Sequence, residues 1–133
     1  MASDLQALFA NLAEKEGFKG HHSPEGRAIR TLSRALNGIS SGNLSRGDVI
    51  VLCDQAVEDW LKARCKLSPW SSYGLPELIA QALEAEWITQ PDAVSLQQIH
   101  DARCSHHDAP ADVPPQEVES ALEFCIRLIE RHW

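Results

Sequence analysis

At 133 residues the chain fits one domain, residues 1–133, and leaves no room for a second of ordinary size. Its 44% hydrophobic and 23% charged residues are ordinary for a globular fold that needs neither metal nor cross-link to complete a core. A net charge of −7 excludes a generic nucleic-acid coat protein, and no apolar run approaches the ~18 residues of a membrane span.

Periodicity is helical nearly throughout, with no alternating strand pattern. Ser3, with Gln6 three residues on, reads as the capping box of a first helix whose face is Leu5, Leu8, Phe9 and Leu12. Gly17 to Gly20 are expected to end it. A second helix is predicted from Ser23 as N-cap, with Pro24 at the first helical position and Glu25 near the positive end of the dipole. Ile29, Leu32, Ala35, Leu36 and Ile39 form its apolar stripe, and Gly38 with Ser40-Ser41-Gly42-Asn43 is expected to stop it. On the same helix Arg27, Arg30 and Arg34 share one face at i, i+3 and i+7. Two readings fit them: a solvated face pairing with acidic neighbours, or a phosphate or RNA track.

Ser45-Arg46-Gly47-Asp48 reads as another capping box. After it, Val49, Leu52, Cys53, Ala56, Val57, Trp60 and Leu61 recur at helical spacing, with Asp54, Gln55, Glu58, Asp59 and Lys62 expected on the wet flank. Ser68 to Gly74 is a predicted loop. Pro76 suits the first turn of a fourth helix with a face of Leu75, Leu78, Ile79, Ala82 and Leu83. Gln90-Pro91-Asp92 is expected to break the chain before a fifth helix from about Ala93 to His107. Asp108 to Pro115, with three prolines, reads as a rigid linker to a last helix carrying Val118, Ala121, Leu122, Cys125, Ile126 and Ile129. Together these elements predict an all-α, up-and-down antiparallel bundle of five to six helices.

The four cysteines, Cys53, Cys65, Cys104 and Cys125, are scattered, and three fall on predicted helices at positions that look buried. That pattern predicts free thiols in a reducing cytoplasm and no disulfide framework. The N-terminal Met-Ala-Ser-Asp-Leu-Gln lacks a basic segment before an apolar stretch, so no secretory signal is expected. Charge is unevenly spread: residues 1–46 hold six Lys/Arg against four Asp/Glu, residues 47–133 six against fifteen.

The chemistry concentrates on the fifth helix. His100, Arg103, Cys104 and His107 lie along one face, adjoining the apolar side of Leu96 and Ile99. Such groups are expected to be half-buried at a seam with a neighbouring helix or a second subunit. Three readings stand: hydrogen-bonded packing residues, a metal site, or a nucleolytic site. His100, Cys104, His106, His107 and Asp108 could offer metal ligands, but a second cluster with standard spacing is lacking apart from His21-His22, and no metal or other cofactor is expected. In the nucleolytic reading Arg103 holds a phosphate and stabilises developing negative charge, while His107 or His106 moves a proton on a ribose 2′-hydroxyl. His100 would assist in holding the phosphate.

Val51-Leu52-Cys53-Asp54-Gln55-Ala56-Val57-Glu58-Asp59-Trp60-Leu61-Lys62-Ala63 resembles the A-x-E-x-x-L-K-A core helix of the HEPN superfamily, the higher eukaryotes and prokaryotes nucleotide-binding domains. Arg103-Cys104-Ser105-His106-His107 sits where that family carries its Arg/His motif, and Pro114 to Leu122 resembles its closing helix. The resemblance spans residues 45–133. It implies a helical bundle, often a homodimer. Many members are metal-independent RNases, including toxins paired with a nucleotidyltransferase-type antitoxin partner; others have lost catalysis and bind partners, nucleotides or RNA. The active motif places four to six residues between Arg and His. Here two or three separate Arg103 from His106 or His107, and the position with four intervening is Asp108. Each one-residue shift on a helix turns a side chain by about 100°. The resemblance therefore implies a HEPN-like module with a degenerate motif, and as its alternative an RNase toxin using Arg103 and His107.

Overall fold

Apolar residues at helical spacing form six helices among the residues the structure describes: α1 (Ala2–Lys19), α2 (Pro24–Ser41), α3 (Arg46–Arg64), α4 (Leu75–Glu84), α5 (Gln90–Asp108) and α6 (Pro115–Arg131). The computed structural model describes residues 2–19, 24–67, 72–108 and 113–131, and only the backbone of residues 2–4, 15–19, 24 and 106–108. Among the described residues there is no strand, and the protein is an all-α helical bundle. No helix among them is long and apolar enough to cross a membrane.

The bundle is built around α3. It packs against α2, α4, α5 and α6, while α1 lies outside on α2 and α6. Val49, Ile50, Cys53, Ala56, Val57, Trp60 and Leu61 of α3 are all buried, as are Leu32, Leu78, Leu96, Leu122 and Ile126 from the helices around it. One expectation for α3 fails. Asp54, Asp59 and Lys62, read as facing water, are buried. A helix with neighbours on four sides has little wet flank, and periodicity cannot count neighbours.

Local chemistry explains the helix ends. At the start of α3 the Asp48 N–H donates to Ser45 Oγ at 3.1 Å and the Ser45 N–H donates to Asp48 Oδ2 at 3.4 Å, the expected capping box. Helix α1 begins at Ala2, so Ser3, expected as its cap, lies inside the first turn. Helix α2 runs through Gly38 to Ser41, so Gly38 is not its stop. A Cβ at Gly38 would collide with the Leu44 side chain, and glycine there permits that close approach. The stop is Gly42, at φ +77°. The expected Ser23 cap lies outside the described residues.

Two helices end in Schellman motifs built on residues that dislike them. After α3, the Leu67 N–H donates to Lys62 O at 2.8 Å and the Lys66 N–H to Ala63 O at 3.1 Å, with Lys66 at φ 59°. After α4, Trp87 donates to Ala82 O at 2.9 Å and Glu86 to Leu83 O at 3.1 Å, with Glu86 at φ 61°. A side chain in this left-handed region costs energy that glycine avoids. Lys66→Gly or Glu86→Gly is expected to raise stability by about 0.5–1 kcal/mol each, the relief less glycine's larger unfolded-state entropy. Urea denaturation midpoints would check it.

Gln90-Pro91-Asp92 does not break the chain. It forms the first turn of α5, which starts at Gln90. Thr89 is the cap: its N–H donates to Asp92 Oδ2 at 3.0 Å, and the Asp92 N–H donates to Thr89 Oγ1 at 3.3 Å. Pro91 is compatible because the first turn has no intrahelical acceptor for its missing N–H. Arg131, at the end of α6, donates to the same Asp92 oxygen at 2.8 Å and ties the two helix termini. Burial acts to raise the Asp92 carboxyl, but hydrogen bonds from Arg131 and Thr89 outweigh it and hold the group below its ordinary value. Stability from Asp92 is therefore full above the ordinary carboxylate value and is lost as pH falls through the lower folded value. Asp92→Ala is expected to cost about 1–2 kcal/mol at neutral pH, mostly as a lost cap. Unfolding free energies followed into acid should show the gap between wild type and variant closing.

Candidate functional site

Asp54 occupies an apolar stripe of α3 formed with Ile50, Val57 and Leu61, all buried. Its side chain is 2% exposed and points to α5. There the carboxylate meets two groups one helical turn apart. His100 Nδ1 lies 3.1 Å from Asp54 Oδ1, and Arg103 Nη1 lies 3.3 Å from Oδ2. On the far side of the imidazole, Cys104 Sγ lies 3.8 Å from His100 Nε2. His100 is 19% exposed, Arg103 41%, and the thiol is at the surface. The cluster thus grades from a buried acid to an exposed thiol.

A carboxylate this deep needs both partners. Burial raises the Asp54 carboxyl above its ordinary value, against the His100 hydrogen bond and the charges of His100 and Arg103. With Asp54 ionised, Nδ1 must carry a proton, since an ionised carboxylate only accepts; in the neutral ring Nε2 is then an acceptor facing Cys104.

Sequence reasoning placed His100, Arg103 and Cys104 on one face, and the structure brings these three together around Asp54. It missed Asp54 itself, expected in water. The signal was there: Ile50, Asp54, Val57 and Leu61 follow 4-3-4 spacing, so an acid interrupts a core stripe. The side chains of His106 and His107 lie outside the described residues; their backbone belongs to the last turn of α5. His21-His22 also fall outside.

The α2 arginines are elsewhere. Arg27 and Arg34 are exposed and Arg30 is partly buried. Arg27 lies near enough to Asp59 to favour its charged form, although burial raises that carboxyl overall. Helix α2 packs on α1, α3 and α6, and makes no contact with α5 among the described residues. The strip and the α5 face each adjoin α3 and, among the described residues, do not touch one another.

Of the cysteines, Cys53 and Cys125 are buried, Cys65 is partly covered and Cys104 is exposed, so two rather than three are core thiols. All four are free. Among the described residues, no three His, Cys, Asp or Glu side chains gather as metal ligands would.

On its other flank α5 diverges from α6 and opens a cleft of about 610 Å³ floored by Ile50 and Ile99. Its walls include Gln98, Asp101, Ser105, Glu117, Ser120 and Phe124. Among the described residues two carboxylates and no Lys or Arg line it, so its field suits a cation better than a phosphate.

Comparison of the chain with protein-family models, curated proteins and solved structures gave no match.

Proposed function

We propose that the chain is a HEPN-like helical module whose Arg/His segment serves packing, and that it works by self-association and partner binding, without cutting RNA. One observation carries this reading. Arg103 and His100, the groups that would hold a phosphate, both face the buried Asp54 carboxylate. A guanidinium paired with a carboxylate keeps donors to spare, but its charge is already offset by the acid, which weakens its pull on an incoming negative charge. The acid-lined cleft between α5 and α6 supports a basic protein partner over a nucleotide or RNA.

The test uses the purified chain with a structured RNA in EDTA, alongside light scattering. RNA is expected to stay intact, and the scattering mass to be about twice 14.7 kDa. Cleavage that disappears with Arg103→Ala and His107→Ala would overturn the proposal in favour of an RNase toxin, for which a nucleotidyltransferase-type antitoxin would be the partner to seek. A mass of 14.7 kDa alone would remove self-association.

A further inference from the structure

The order Asp54 carboxylate, His100 imidazole, Cys104 thiol spans two helices and ends at solvent. The acid meets one ring nitrogen and the sulfur meets the other, so the ring can take a proton from the thiol while its far side stays fixed. We propose that Cys104 is a modification site: a nucleophilic thiol with His100 as its base and Asp54 as the residue positioning that base, reacting with small peroxides.

The surroundings decide the class of reaction. Cys104 sits within α5, where neighbouring backbone N–H groups are engaged in intrahelical bonds. Among the described residues no pair of free amides is there to stabilise the oxyanion of an attacked carbonyl, so acyl transfer is not supported. Displacement at a peroxide oxygen needs no such donors. The Cys104 proton passes to His100 Nε2 as Sγ attacks one oxygen, the S–O bond forms and the O–O bond breaks. The sulfur is oxidised by two electrons to a sulfenic acid. The leaving oxygen, reduced, takes the proton from His100, and hydrogen peroxide leaves as water.

The other thiols are internal references. Burial pushes the Cys65 thiol up. A hydrogen bond with Cys53, together with burial, pushes the Cys125 thiol well up. Thiols held in the protonated form react slowly.

The full chain would be treated with limiting hydrogen peroxide, sulfenic acid trapped with dimedone, and each cysteine followed by peptide mass. Cys104 is expected to be oxidised first, about tenfold faster than N-acetylcysteine at the same pH. His100→Gln should bring Cys104 down to the N-acetylcysteine rate, and Asp54→Asn should give a rate between the two. Unreacted Cys53 and Cys125 report that a variant is still folded. Parity of wild-type Cys104 with N-acetylcysteine would overturn the proposal, as would an undiminished rate in a folded His100→Gln protein. Should that variant fail to fold, the wild-type comparison decides alone.

Discussion

Trp60→Ala is expected to destabilise the fold by about 3–5 kcal/mol, the range for removing a large aromatic from a core that cannot collapse onto the space. Trp60 is 0% exposed, on a helix that packs against α2, α4, α5 and α6, so the loss is felt across most of the bundle. A second effect follows from Arg64, whose guanidinium carbon lies 5.4 Å from the Trp60 ring centre and 5.8 Å from that of Trp87. Removing the Trp60 ring takes one of the two π faces from that cation and loosens the turn after α4, where Trp87 sits. Trp60→Phe retains most of the apolar volume and is expected to cost markedly less. Urea unfolding of the three proteins would check both the size and the order of the effects.

Asp54→Ala is expected to cost about 2–3 kcal/mol at neutral pH, because it leaves the half-buried His100 N–H and the Arg103 guanidinium without their acceptor. Asp54→Asn should behave differently. The amide oxygen can still accept from His100, and the buried charge is gone, so its cost is expected to stay under about 1 kcal/mol. The pH dependence separates the two explanations of that difference. Because burial holds the folded carboxyl above its ordinary value, the Asp54 contribution is most favourable below that value. It weakens as pH rises through the raised folded value. Asp92 acts with the opposite sign in a lower window, below the ordinary carboxylate value. Asp59, also raised by burial, adds to the Asp54 slope in both wild type and variant. The difference between wild type and Asp54→Asn therefore isolates Asp54, and it should shift in favour of the variant as pH climbs from acid to neutral. Unfolding free energies across that range would measure it.

Much of this architecture is readable before any coordinates. The stripe from Val49 to Leu61 and the box Ser45–Asp48 mark α3, and Pro76 and the face from Leu75 to Ala82 mark α4, because burial and capping obey short-range rules. What fails is what depends on neighbours. Asp54, Asp59 and Lys62 look wet on a helical wheel and are buried only because α3 is enclosed on several sides. Pro91 read as a breaker, though Thr89 and Asp92 stand three apart as a cap should, and proline suits a first turn. On α5 the spacing alone puts His100, Arg103 and Cys104 together. Spacing could not show that a single carboxylate 46 residues earlier would hold two of them.

The Asp54 carboxylate holds α5 to α3 through its histidine and arginine. A double-mutant cycle over Asp54→Ala and His100→Ala, with Asp54→Ala and Arg103→Ala beside it, measures this directly by urea denaturation. A coupling of about 1–2 kcal/mol is expected for the histidine pair and a smaller one for the more exposed arginine. Strict additivity in both cycles would mean that neither group is held, and would leave the guanidinium and imidazole free for the chemistry argued against above.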